Sequence, residues 1–214
     1  MLSITLQLRQ DDTILFIGGG DVTERRISLV MNEARCVVIS PTVTETIRKW
    51  AVEGLILWHE TPFTDTYIEL LKASKLLFIS TNNRELNDKL ESLAKDYKVW
   101  MNRSDKPEAC DFTIPATLEV GDLQIAIGAN NGGPRINRLV RQDMTNRYSE
   151  LKIAIPRLKI IREEVKSILP SVAERQQFWR THLDETAFQA ILDGNWPYIE
   201  EKLHYAISGI RSKS

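Results

Sequence analysis

Ile14-Leu15-Phe16-Ile17-Gly18-Gly19-Gly20-Asp21-Val22-Thr23 passes from four apolar residues through three glycines into a segment with helical spacing. The apolar run has the length of a buried strand, and Val22, Ile27, Val30 and Met31 recur as one face of a helix does. A strand that turns directly into a helix aims backbone amides at the space before the helix, where an anion is stabilised. Gly18 and Gly20 take the first two places of G-x-G-x-x-G, where a missing β-carbon lets a pyrophosphate approach the chain. The third place holds Thr23 instead of Gly or Ala, a change expected to loosen helix-on-strand packing slightly.

Further short apolar runs follow at residues 36–39, 55–58, 76–80 and 99–101, all read as buried strands. Helical spacing separates them: Val43, Ile47, Trp50 and Ala51, then Leu86, Leu90, Leu93 and Ala94. The crossover near Tyr67 to Leu71 is the shortest. Alternation of this kind predicts an α/β fold, a Rossmann-type parallel sheet with right-handed crossovers. After Asp105 the pattern changes, with strands expected at 112–117 and 123–129 around a turn at Val120, Gly121 and Asp122. From Pro134 onward apolar residues recur every three or four positions, so a helical C-terminal domain is expected, with breaks near Pro170 and at 193–197. The expected division is 1–110 for the nucleotide-binding domain, 111–147 for a hairpin and helix region, and 148–214 for the helical domain.

Ligands of such sheets bind at the carboxyl ends of the strands. At the end of the second strand stands Ile39-Ser40-Pro41-Thr42, without the acidic residue that would hold an adenosine ribose, so NAD and NADP both stay open. Ser80-Thr81-Asn82-Asn83 ends the fourth strand and reads equally as a ligand contact, through Thr81, or as a helix cap before Arg84. The fifth delivers Asn102-Arg103-Ser104-Asp105-Lys106-Pro107-Glu108-Ala109-Cys110-Asp111-Phe112, placed where a nicotinamide would lie. Asp105 and Asp111 are its candidates for taking a proton, each equally readable as a turn or capping residue.

Composition sets the class of partner. The chain has 214 residues, 43% hydrophobic and 27% charged, and its 28 basic and 29 acidic residues leave a net charge of −1. Nothing there favours nucleic acid or an anionic membrane. No apolar run approaches a bilayer span, and the start lacks a secretion signal, so a cytoplasmic protein is expected. Cys36 and Cys110 form no Cys-x-x-Cys spacing, and His59, His182 and His204 no pair at helical spacing, so no metal site is expected. Cys36, inside an apolar run, reads as a small buried hydrophobe.

Taken in order, Gly18-Gly19-Gly20-Asp21-Val22-Thr23-Glu24-Arg25-Arg26, Ser80 to Asn87, Asp105-Lys106-Pro107, Cys110-Asp111-Phe112 and Ile114-Pro115-Ala116 resemble the precorrin-2 dehydrogenase family over about residues 1–145. The resemblance implies oxidation of precorrin-2 to sirohydrochlorin with NAD as acceptor in siroheme synthesis, with ferrous iron insertion added in some members. It implies that Asp105 acts in proton transfer, and that Asp21, Val22, Pro41 and Thr42 contact the dinucleotide. It also implies a homodimer built from the hairpin and helices, with a tetrapyrrole bound between the subunits. Asn102, Asp111 and Arg135 are the residues assigned to the substrate, Arg135 as a cation for a carboxylate. One departure stands out. Ala129-Asn130-Asn131-Gly132-Gly133-Pro134 has Gly133 where the family carries a serine, which leaves room for a different substrate or for a non-catalytic NAD-sensing regulator.

Overall fold

The computed structural model describes residues 4–128 and 133–212. It divides into two compact units, the first ending at Thr113 and the second beginning at Ile114.

In the first unit five strands, β1 (Thr13–Ile17), β2 (Arg35–Ile39), β3 (Leu57–His59), β4 (Leu76–Ile79) and β5 (Trp100–Arg103), form a parallel sheet in the order β3-β2-β1-β4-β5. This is the doubly wound, Rossmann-type arrangement, with the order reversing beside β1. The crossovers are α1 (Asp21–Val30), α2 (Glu45–Val52), the short α3 (Ile68–Ala73) and α4 (Arg84–Tyr97). Successive strand residues alternate between faces. Leu15, Ile17, Val37, Ile39, Leu77 and Ile79 therefore meet Leu71, Leu90 and Ala94 on one side. Ile14, Phe16, Cys36, Val38 and Phe78 meet Ile27 and Ile47 on the other. Each such buried Leu, Ile or Phe stabilises the unit by about 1.5–3 kcal/mol. Cys36 lies in the same core, and burial pushes its thiol up to about 12, so it packs as an inert apolar group.

Two strands of this sheet differ from their sequence expectation by two residues at one end. The third begins at Leu57 rather than at residue 55, because Gly54 (φ 74°) closes α2 and the amide of Leu55 is still bonded to the carbonyl of Trp50. The fifth runs on past Met101 to Arg103, a buried charge that no count of apolar residues includes.

The second unit opens with an antiparallel hairpin, β6 (Ala116–Val120) and β7 (Leu123–Ile127), turning at Gly121 and Asp122 with Gly121 at φ 57°. The first hairpin strand was expected from residue 112. It starts at Ala116 because Pro115 has no amide for a ladder and the carbonyl of Phe112 is taken by the side-chain amide of Asn102. Five helices follow: α5 (Pro134–Arg147), α6 (Leu151–Ile168), α7 (Val172–His182), α8 (Glu185–Leu192) and α9 (Trp196–Arg211). Phe178, Ile191, Trp196, Leu203 and Ile207 pack with Leu151, Ile161 and Val165 in one core. A break between α7 and α8, absent from the sequence reading, falls where the Asp184 carboxylate caps the amide of Ala187 at 2.8 Å.

Candidate nucleotide and active site

Four loops leave the carboxyl edge of the first unit's sheet together: Gly18–Gly20 after β1, Pro41 and Thr42 after β2, Ser80 and Thr81 after β4, and Ser104 and Asp105 after β5.

The three glycines have three separate reasons. Gly18 has φ 110°, and a β-carbon on it would stand 2.3 Å from the carbonyl oxygen of Ser80, so it locks the loop against the end of β4. At Gly19 a β-carbon would stand 2.3 Å from the Thr42 carbonyl oxygen and 2.6 Å from Val43 Cγ1, which ties the same loop to the end of β2. The Gly19 carbonyl accepts from the amide of Thr44 at 3.0 Å. Around Gly20 there is open space within 4 Å. Gly20 is also the N-cap of α1 and carries no side chain to satisfy the first-turn amides, which lack partners inside the helix. An open glycine before unpaired amides at a positive helix end is the cradle that a pyrophosphate requires, so the residues fit a dinucleotide.

Asp21 and Val22 are the first residues of that helix, Asp21 exposed and Val22 partly so. Thr23, in the third glycine place, is 1% exposed, and its hydroxyl has no hydrogen-bond partner. Pro41 and Thr42 are exposed at the end of β2, with the Thr42 carbonyl held by the Ser40 hydroxyl at 2.6 Å. The Thr81 hydroxyl donates to Asn87 Oδ1 at 2.5 Å and accepts from the Asn83 amide at 3.1 Å, while Asn83 caps α4 through the amide of Leu86. That segment therefore builds the start of α4, and the Thr81 side chain is committed to it.

Asp105 is the centre of the polar network. Arg103, one residue beyond an intervening serine, donates from Nε to Oδ1 at 2.7 Å and from Nη2 to Oδ2 at 3.0 Å. Asn87, buried in α4, adds a bond from Nδ2 to Oδ2 at 3.2 Å and another to the Thr81 carbonyl at 3.0 Å. The guanidinium of Arg103 is itself 2% exposed and also reaches Asp88 at 2.6 Å and Glu91 at 2.8 Å. The paired arginine holds the Asp105 carboxyl well below the usual carboxylate range, against the opposing effect of burial, with Asn87 helping. Asp105 is accordingly a fixed negative charge whose side chain keeps 39% of its surface open to solvent.

Asp111 is used differently. Its carboxylate accepts from the Met101 amide at 2.9 Å and its own amide donates to the Met101 carbonyl at 2.9 Å, which folds the loop back along β5. Asn102 is 6% exposed; its amide nitrogen holds the Phe112 carbonyl at 2.8 Å and its Oδ1 is buried without a partner. The structure thus brings Asp105, Thr81 and the glycine loop to one edge and holds Asp111 against Met101, two residues before Arg103 in β5. Arg135 is exposed in the first turn of α5, in the second unit. Residues 129–132 of the loop before it lie outside the described residues, and Gly133 stands as the N-cap of α5 at φ 89°.

Sequence reading missed Arg103 and Asn87 as parts of the site. The signal that identifies them is the acidic face Asp88 and Glu91, three apart on α4, opposite a lone arginine in a strand.

A Rossmann-type sheet with this cradle and a pinned aspartate on its carboxyl edge defines a dinucleotide-binding α/β protein. Comparison with known proteins narrows the class. Residues 4–116 match the model of a putative NAD(P)-binding family, and residues 158–207 match that of the sirohaem synthase dimerisation region. The chain belongs to the putative NAD(P)-binding family, in the group that carries the sirohaem synthase dimerisation region behind it. Siroheme synthases of Salmonella typhimurium and Salmonella enteritidis are each 29% identical to it over 180 residues, covering 83% of this chain and 38% of the relative. The chain spans well under half the length of these curated relatives. A solved structure titled SirC, precorrin-2 dehydrogenase, superposes with a TM-score of 0.76 at 19% identity, over 96% of this chain and 100% of that one, and shares its fold. No helix among the described residues is long and apolar enough to cross a membrane.

Proposed function

We propose that the protein is a precorrin-2 dehydrogenase that produces sirohydrochlorin in siroheme synthesis, with NAD as its acceptor, acting as a cytoplasmic homodimer. The observation that carries this reading is Asp105, an ionised carboxylate fixed on the same sheet edge as the Gly18–Gly20 cradle. The homodimer rests on the match of residues 158–207 to a dimerisation region.

Gly20 with the amides of Asp21 and Val22 would hold the pyrophosphate, with Pro41 and Thr42 beside the adenosine half. The bound dinucleotide supplies a hydride acceptor. Loss of hydride from the substrate leaves positive charge on the donor, and a neighbouring carboxylate that is already ionised stabilises that charge as it develops. A base works best with a pKa near the operating pH. Arg103 pulls Asp105 far from that condition, so the carboxylate stabilises the charged donor and guides its proton toward solvent instead of storing it. Asn102 and Arg135 are proposed to contact the substrate. Asp111 is proposed to do so through the loop it closes.

A second reading keeps this site and adds insertion of ferrous iron as a further substrate. The solvent-reachable Asp105, held below the usual carboxylate range by Arg103 and so ionised at neutral pH, favours it, since an ionised carboxylate can meet a divalent cation. The test is anaerobic mixing of precorrin-2 with the protein and NAD, with NADP and protein-free controls, followed by absorbance. Formation of sirohydrochlorin with NAD supports the dehydrogenase, and no conversion by a protein that binds NAD overturns it. Adding ferrous iron to the product separates the second reading.

A further inference from the structure

Arg26 is a half-buried cation without an anion. It projects from α1 to the carboxyl edge, where Nη1 donates to Ser80 Oγ at 3.2 Å and to Ser104 Oγ at 3.0 Å. The two serine hydroxyls lie 3.0 Å apart, and Ser104 also donates to the Ile79 carbonyl at 3.2 Å. The guanidinium carbon stands 5.2 Å from the centre of the Phe78 ring, whose edge-to-face partner is Phe112 at 5.3 Å. Among the described residues no carboxylate reaches Arg26 within ion-pair distance, whereas Arg103, on the same edge, has three. Among the described residues its Nε and Nη2 donate to no acceptor.

A partly desolvated charge without a counter-ion is unfavourable in the free protein, and burial lowers the pKa of this guanidinium. Two hydroxyls and an aromatic face fix the group in place, yet neutralise nothing. The unused side of the guanidinium presents the planar fork that pairs with a carboxylate. A dinucleotide pyrophosphate has its own place at Gly20, the start of the helix on which Arg26 sits more than a turn later. Arg26 instead shares Ser104 with the Asp105 loop, so an anion held there lies beside the reacting end of the site.

We infer that Arg26, seated on Ser80 and Ser104, is a binding position for a substrate carboxylate. The inference rests on the tetrapyrrole reading above, because the acetate and propionate chains around such a ring supply carboxylates. Arg26 orients the ring against Asp105 and takes no part in proton or hydride transfer.

Arg26→Gln and Arg26→Lys test it, with three measurements on each: the NAD dissociation constant, sirohydrochlorin binding by absorbance titration, and steady-state oxidation of precorrin-2. For Arg26→Gln the expected result is about a 10- to 100-fold rise in both the precorrin-2 KM and the sirohydrochlorin dissociation constant, the scale of a lost charge-assisted bond. The NAD constant should stay within about twofold, and Arg26→Lys should recover part of the loss. A parallel weakening of NAD would show that the anion belongs to the nucleotide and overturn the assignment. Unchanged constants throughout would reduce Arg26 to a brace for the two serines. Should the Gln variant fail to fold, the Lys variant decides alone, through its tetrapyrrole constants against its NAD constant. If the unaltered chain binds sirohydrochlorin without oxidising precorrin-2, the dehydrogenase reading falls and the Arg26 assignment stands on its binding arm. If it binds no sirohydrochlorin, both fall.

Discussion

Arg103 grips both carboxylate oxygens of Asp105, from Nε at 2.7 Å and Nη2 at 3.0 Å, while Asp105 keeps an open face to solvent. The arginine is a buried cation whose three acidic partners come from two elements, α4 and the β5 loop. The pair therefore links the stability of the sheet edge to the charge of the residue proposed to act in chemistry.

That link has a pH signature. Because the Asp105 carboxyl is held well below its usual range, oxidation of precorrin-2 should show no acid limb from this group between about pH 5 and 8. Replacing Arg103 with Met removes the neighbouring cation, so the Asp105 pKa rises and an acid limb should move up toward the assay range. The same sign governs stability: a carboxyl with a lower pKa folded than unfolded stabilises the fold above its unfolded value, about 3.9, and that contribution is lost as pH falls toward the folded value. Profiles of kcat/KM against pH for both proteins check it, and an acid limb at the same place in both would refute the coupling.

Arg103→Met should also destabilise the first unit. Glu91 keeps Lys95 at 2.5 Å and Lys106 at 3.3 Å, so it stays paired, and Asp88 is largely solvated. The loss should therefore fall near the lower end of the about 3–5 kcal/mol seen when a buried ion pair is broken. Urea unfolding measures it. Asp105→Asn keeps a polar contact to the arginine and should lower kcat by about a hundredfold or more with little change in NAD affinity.

How far the sequence reveals this site depends on the kind of residue. β1 was legible, since the apolar run Ile14 to Ile17 has a glycine loop behind it and the strand covers all four of its residues. The parallel sheet followed from the alternation of such runs. β5 was cut short at Met101 because a run of apolar residues cannot anticipate that Arg103 is buried; its burial depends on Asp88 and Glu91 arriving from α4. Asn87 was hidden for the same reason, as its partners Thr81 and Asp105 meet only in the folded sheet. Thr81 and Asp111 carry the right chemistry for a site, and hydrogen bonds invisible in the sequence assign their side chains to the start of α4 and to the return of the β5 loop.

Thr23 offers a test of packing under the glycine loop. Its hydroxyl is buried with no partner, which is unfavourable, and the whole residue is 1% exposed on the buried side of α1. Thr23→Val keeps the shape and removes the stranded oxygen. It should raise stability by about 1 kcal/mol in thermal or urea unfolding and leave NAD affinity unchanged; a loss of stability would mean that the hydroxyl has a partner in solution.

The glycines separate folding from binding. Gly18→Ala sets a β-carbon 2.3 Å from the Ser80 carbonyl oxygen at φ 110°, so the loop or the end of β4 must shift and melting temperature should drop sharply. Gly20→Ala places its β-carbon in open space at φ −85°, an ordinary backbone for any residue, so stability should hold. That open space is what the cradle offers to a pyrophosphate, and a methyl group there keeps phosphate oxygens from the α1 amides. Gly20→Ala should therefore melt with the parent protein and yet bind NAD at least about tenfold more weakly by calorimetry, the scale of one charge-assisted hydrogen bond. Full NAD affinity in this variant would remove the nucleotide from the Gly20 cradle, because no other change in the protein could compensate for a blocked approach to those amides.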